Sequence, residues 1–165
     1  MFVAVDIGNS NITVGLKIKG EWTEYRFPTH SEQPLLLLRE QIKELNIKKI
    51  RGVGLSSVVP TVTPLVRSEL ELLFGIKPVV VNKSDYKLLP ITPKNPDELG
   101  TDLLVNSLAA SQLYSNTESL IIDFGTALTY TFVDAKGNIK GVAIAPGINT
   151  AIRALSKTAA QLPEI

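Results

Sequence analysis

The chain has 165 residues, 44% hydrophobic and 20% charged, with 17 basic against 16 acidic side chains and a net charge of +1. That is enough for one sizeable core, or one domain and part of a second, and the balance of charge gives no reason to expect nucleic acid or a membrane as partner. With no cysteine, disulfides and thiol catalysis are excluded, and the single histidine, His30, leaves no histidine cluster for a metal, so the chemistry is expected to rest on carboxylates, hydroxyls, amides and backbone.

No apolar run reaches the roughly 20 residues of a membrane span, and Met1-Phe2-Val3 reads as the start of a strand instead of a signal peptide. A cytoplasmic location is the expectation. Residues 2–6, 12–18 and 21–27 are short β-type segments, with Lys19-Gly20-Glu21 as a turn, and predict a three-stranded antiparallel meander. His30 falls in a solvated loop, and Ser31 is the N-cap of a helix over 33–45 with Leu35, Leu38, Ile42 and Leu45 on one face. Residues 50–57 predict a strand. A second helix over 61–74 follows, with Leu65, Leu70 and Leu73 inward and Gly75 as its stop, and then a fifth strand at 78–81.

Residues 83–97 carry Pro90, Pro93 and Pro96 among lysines and read as an extended connection. A helix starting at 97 or 98 runs to 114. Its apolar residues, including Leu103, Leu104 and Leu108, lie on more than one face, which fits a dimer contact or a wholly buried helix. Beyond it come a β-hairpin over 119–133, a turn at 134–138, a strand at 139–144 and a helix over 149–158. The predicted organisation is a first domain over 1–82, a connection over 83–97 and the first part of a second domain over 98–165.

Two stretches carry the chemistry. In Val3-Ala4-Val5-Asp6-Ile7-Gly8-Asn9-Ser10, an apolar strand delivers Asp6 to a turn where Gly8 allows close backbone approach and Asn9 adds a short polar side chain. Such a hairpin can hold phosphate on backbone N–H groups while the acid holds a metal; an ordinary turn capped by its aspartate has the same pattern. The pattern returns at Ile122-Asp123-Phe124-Gly125-Thr126-Ala127, suggesting two matched halves, one for each end of a triphosphate. The two hairpins resemble those of the actin-like ATPase superfamily. Strands one to three, helix, strand, helix, strand is the ribonuclease H-like order on which that superfamily is built. The expected fold is therefore α/β, ribonuclease H-like, with one complete domain plus the start of a second.

Five motifs in register narrow the resemblance: Asp6-Ile-Gly-Asn9, Asn95-Pro-Asp-Glu-Leu-Gly100-Thr-Asp102, Asp123-Phe-Gly-Thr126-Ala127, Gly141 through Gly147, and Thr158 through Pro163. In this order the chain resembles the type III pantothenate kinases, a family that includes Bvg accessory factors. The resemblance implies ATP-dependent phosphorylation of pantothenate, the first step toward coenzyme A. It implies Asp6, Gly8, Asn9, Gly125 and Thr126 on the phosphates, and Asp6 and Asp123 on Mg²⁺, with potassium or ammonium nearby. It further implies Gly100, Thr101 and Asp102 on the substrate, Asp102 as general base, and a homodimer. Asp102 at a helix start is also where the dipole favours negative charge, although a first-turn acid without chemistry looks the same.

The chain departs from the family at two places. Leu103 stands where the family has an arginine expected to meet the pantothenate carboxylate, and Pro93 or Lys94 stands where relatives often place a tyrosine. Lys94 is a candidate for the missing positive charge. These departures leave two alternatives beside the kinase: a non-catalytic or regulatory paralogue, or an actin-like kinase for another small hydroxyl acceptor.

Overall fold

The computed structural model describes residues 1–30, 36–37, 39–40, 50–88 and 90–158. The chain divides into two compact units, Met1–Asn82 and Lys83–Ile165.

The first unit is a five-stranded sheet of β1 (Phe2–Ile7), β2 (Asn11–Ile18), β3 (Glu21–Pro28), β4 (Gly52–Ser57) and β5 (Val79–Val80), in the order β3-β2-β1-β4-β5. The first three strands form the expected antiparallel meander, and β4 and β5 add in parallel. Alternation puts Val3, Val5 and Ile7 of β1 inward with Val14 and Leu16 of β2 and Val53 and Leu55 of β4. Helix α1 (Thr63–Phe74) closes this layer through Val66 and Leu70. It starts two residues later than expected, with Pro64 in its first turn, and stops at Gly75.

The inward assignment of Leu65 is corrected. Leu65 is 61% exposed, whereas Val66 and Leu70 are fully buried and Leu73 is packed against the core. The core stripe runs Val66, Leu70, Leu73 at helical spacing, and Leu65 stands about 100° off it. Glu69 falls on the buried side, where it receives the Arg39 guanidinium in a bidentate pair, with Nη2 to Oε2 at 2.7 Å. Glu69 in turn raises the pKa of Arg39, first through that hydrogen bond and then through its charge. The helix expected over 33–45, with its cap at Ser31 and its apolar face, lies for the most part outside the described residues. His30 is exposed in a turn.

The second unit holds a four-stranded sheet in the order β6-β9-β8-β7, where β6 is Thr92–Pro93, β7 Ser119–Phe124, β8 Ala127–Val133 and β9 Asn138–Pro146. The last three make an antiparallel meander, and β6 pairs in parallel with β9. The stretch 83–97 is thus not simply extended: 3₁₀ turns at Lys83–Leu88 and Pro96–Glu98 flank β6, which belongs to the sheet.

Helix α2 (Thr101–Leu113) starts later than the expected 97 or 98. Leu99 takes an extended conformation (φ −82°, ψ 125°) after the 3₁₀ turn and separates the two helical segments. Leu103 and Leu104 are buried in their own unit, whereas Leu108 is half-buried and Leu113 exposed, so the helix is not wholly buried within it. Helix α3 (Ile148–Thr158) follows β9. Facing residues of an antiparallel pair share a side of the sheet. Asp123, Thr129, Thr131, Val133 and Ile139 therefore lie on the side that α2 covers, and Leu120, Ile122 and Phe124 lie on the opposite, exposed side. No helix among the described residues is long and apolar enough to cross a membrane.

Candidate active site

In the first unit, Asp6 sits on the outer face of β1, one residue before its end, because Val3, Val5 and Ile7 take the inner positions. Its facing neighbours are Thr13 on β2 and Ser56 on β4, so the carboxylate lies between two hydroxyl-bearing residues on one sheet face. Gly8, Asn9 and Ser10 form the connection between β1 and β2. The Gly8 N–H donates to Asn11 O at 2.9 Å, and buried Thr29 pins the turn, its hydroxyl to Gly8 O at 2.7 Å and its N–H to Ser10 O at 2.9 Å. Asn9 and Ser10 are exposed at the tip.

The second unit repeats this device. Asp123 lies one residue before the end of β7, opposite Thr129, and Gly125-Thr126 make the turn. The Gly125 N–H donates to Ala127 O at 3.0 Å, closing the turn as Gly8 does in the first unit. Both glycines therefore commit their N–H groups inside the turn and act by shaping it. Thr126 O accepts the Gly147 N–H at 3.0 Å and the Thr150 hydroxyl at 2.7 Å, fixing the turn to the start of α3. A methyl group at position 147 would fall on the carbonyl oxygens of Gly125 and Thr126, so this approach requires glycine.

Asp102 occupies the first turn of α2. The Gly100 backbone (φ −67°, ψ 154°) is open to any residue, but a methyl group there would overlap Asp102 Oδ1. The glycine makes room for the carboxylate. Thr101 is buried. One turn further along α2, Asn106 Nδ2 donates to Asp123 Oδ2 at 3.1 Å. The second unit thus assembles Asp102, Asn106, Asp123, Gly125 and Thr126 on α2 and the β7–β8 hairpin.

Sequence reasoning missed Asn106, Thr29 and Thr150. Asn106 carried only a weak signal, a polar residue four positions after Asp102 and so on the same helix face, in a helix that also holds Ser107, Ser111 and Gln112. Thr29 and Thr150 carried none, because their partners lie 21 and 24 residues away.

The donor set fits Mg²⁺, which takes one or two carboxylates and completes its shell with water and substrate phosphate. Each hairpin presents one carboxylate among hydroxyls, and no group of three or more acidic or histidine side chains gathers among the described residues.

The profile of the type III pantothenate kinases matches residues 2–165. The chain belongs to that family. It is 37% identical over 172 positions to the type III pantothenate kinase of Moorella thermoacetica, covering 100% of this chain and 67% of that protein. Against the type III pantothenate kinase of Dictyoglomus turgidum the identity is 38% over 175 positions, with coverage of 100% and 67%. The chain spans about two thirds of the length of the curated relatives it matches. A Sinorhizobium meliloti protein assigned as a 2-dehydro-3-deoxygalactonokinase shares the fold, with a TM-score of 0.54 at 9% identity over 97% of this chain and 58% of that one. The ribonuclease H-like, actin-like class of this pantothenate kinase family member agrees with that likeness.

Proposed function

We propose that the protein transfers the γ-phosphoryl group of ATP to the primary hydroxyl of pantothenate, giving 4'-phosphopantothenate and ADP at the start of coenzyme A biosynthesis. The observation that carries the reading is the second unit's arrangement. Asp102 stands at the head of α2 with room made by Gly100, one turn before the asparagine that holds Asp123.

Phosphoryl transfer asks little covalent chemistry of a protein; it needs positioning, charge neutralisation and a proton acceptor. In this reading Asp102 accepts the hydroxyl proton as the substrate oxygen bonds to the γ-phosphorus and the bond to the β,γ-bridging oxygen breaks. Gly100 and Thr101 set the backbone on which the acceptor lies. Gly8 and Gly125 shape turns that present Asn9 and Thr126 to phosphate oxygens. Asp6 and Asp123 hold Mg²⁺, which when bound neutralises charge developing on the phosphates. A monovalent cation, potassium or ammonium, belongs to the same proposal, as does a homodimer. The exposed apolar side chains of Leu113 and Tyr114 at the end of α2 support the dimer. A cytoplasmic location follows from the use of ATP and accords with a cysteine-free chain.

The deciding experiment is ATP-dependent formation of phosphopantothenate with Mg²⁺ and potassium or ammonium present, for the wild type and Asp102→Asn. Product from the wild type and none from Asp102→Asn, with ATP binding retained, is the expected outcome. Full turnover by Asp102→Asn removes that residue as base, and no product from the wild type removes the reading.

A further inference from the structure

A cavity of about 370 Å³ opens in the second unit between the start of α2 and strand β9. Its walls are apolar: Leu99 and Leu103 on one side, Ile139, Val142 and Ile144 on the other. Leu103 of this lining directly follows Asp102, the residue proposed as base, in the first turn of α2. Four polar side chains complete the lining, Lys94, Asn95, Glu98 and Lys140.

These four are not equivalent. Lys140 is already neutralised, its ammonium 3.1 Å from Asp134 Oδ2. Glu98 accepts a hydrogen bond from Asn95 Nδ2 at 3.1 Å and keeps further acceptor capacity. Lys94 is exposed at the cavity and has no ion pair among the described residues, although it shares that lining with Glu98. A site with a branched apolar wall, one uncommitted cation and one carboxylate able to take a donor suits a compact acceptor with three matching features. These are an apolar branched body, hydroxyl or amide N–H donors, and a single terminal carboxylate.

We propose that Lys94 is the carboxylate-recognising residue of the acceptor site in this chain, with Leu103 as apolar wall and not a charge partner. The inference rests on the pantothenate reading above. Pantothenate has the required parts, with its geminal methyl groups against Leu103 and Val142, its amide N–H toward Glu98 and its carboxylate on the Lys94 ammonium, which leaves the primary hydroxyl for Asp102. A lysine is a flexible point charge where an arginine is a rigid fork. Recognition by charge alone therefore discriminates between charged and neutral acceptors more than between carboxylate orientations.

The test is calorimetric titration of pantothenate, and of its uncharged primary amide, into the wild type, Lys94→Gln and Lys140→Gln. A charge-assisted hydrogen bond at a partly exposed site predicts about tenfold or greater weakening of pantothenate binding in Lys94→Gln. The amide should bind Lys94→Gln and wild type alike, and Lys140→Gln should bind pantothenate as the wild type does. Unchanged pantothenate affinity in Lys94→Gln overturns the role of Lys94 and leaves the kinase reading standing. Equal weakening of both ligands also overturns it, as does a loss confined to Lys140→Gln. A wild type that binds neither ligand removes the pantothenate reading and this inference with it.

Discussion

Asn106 donates its side-chain amide to the Asp123 carboxylate at 3.1 Å, from a position one turn along α2 from Asp102. Two carboxylates proposed for different tasks, proton acceptance and metal binding, are thereby referred to one rigid helix. The amide occupies one Asp123 oxygen and fixes the plane of the carboxylate. Groups that orient a metal-binding carboxylate typically matter 10–100-fold for metal affinity or activity. Asn106→Ala is therefore expected to lower kcat about 10–100-fold and to raise the Mg²⁺ concentration for half-maximal rate, with little change in pantothenate KM. Kinetics at varied Mg²⁺ check this. An unchanged Mg²⁺ requirement would mean that the hydrogen bond is structural only.

Gly100 gives a second, sharper probe of Asp102. Since its backbone angles suit any residue, Gly100→Ala should fold with a melting temperature close to that of the wild type. The added methyl group, however, displaces Asp102 Oδ1. Misplacing a reacting group by about 1 Å can cost about 100-fold, so kcat is expected to fall on that scale. Steady-state kinetics beside a thermal melt separate the two effects, and wild-type turnover would show that the carboxylate acts from another position.

The two leucines of α1 test the corrected packing of the first unit. Leu70 is fully buried beneath the first sheet and Leu65 is 61% exposed. Truncating a fully buried leucine typically costs about 2–5 kcal/mol through lost transfer energy and a residual cavity. Leu70→Ala should destabilise by that amount in urea unfolding. Leu65→Ala should stay within about 0.5 kcal/mol of wild type, as surface substitutions usually do.

Asp134 ties the turn between β8 and β9. Its carboxylate accepts the Asn138 side-chain amide at 2.7 Å, the Asn138 N–H at 2.8 Å and the Lys136 N–H at 2.9 Å, with the Lys140 ammonium at 3.1 Å. The Asn138 side-chain bond leads, and together these contacts outweigh desolvation and hold the carboxyl well below the usual carboxylate range. Because the folded value lies below the unfolded one of about 4, the stabilisation is complete above that unfolded value and is lost as pH falls below it. Asp134→Asn is expected to melt earlier than the wild type at neutral pH, the gap narrowing between about pH 5 and pH 2. Melting curves across that range check it, and a gap independent of pH would show that ionisation contributes nothing.

Much of this protein is legible without coordinates because its signals are local. Period-two alternation in β1 and β2 requires only that one sheet face be buried, so Val3, Val5 and Ile7 announce their side and leave Asp6 on the other. Asp-x-Gly at the end of an apolar strand announces the turns, since both the carboxylate and the tight bend are set within a few residues. The helix at Asp102 is legible as well, apart from its exact start, which the 3₁₀ turn at Pro96 delays. Leu65 is ambiguous in the sequence because leucines at 65 and 72 stand beside the stripe of Val66, Leu70 and Leu73, and only the position of the sheet selects between them.

The tertiary structure alone decided the remainder. It joined Asn106 to Asp123, Thr29 to Gly8 and Thr150 to Thr126, and it drew the stretch around β6 into a sheet. It also gathered Lys94, Leu103 and Ile144 around one cavity. Each of these is a meeting of side chains or strands far apart in the chain. No local periodicity encodes such meetings, because they follow from how whole elements pack.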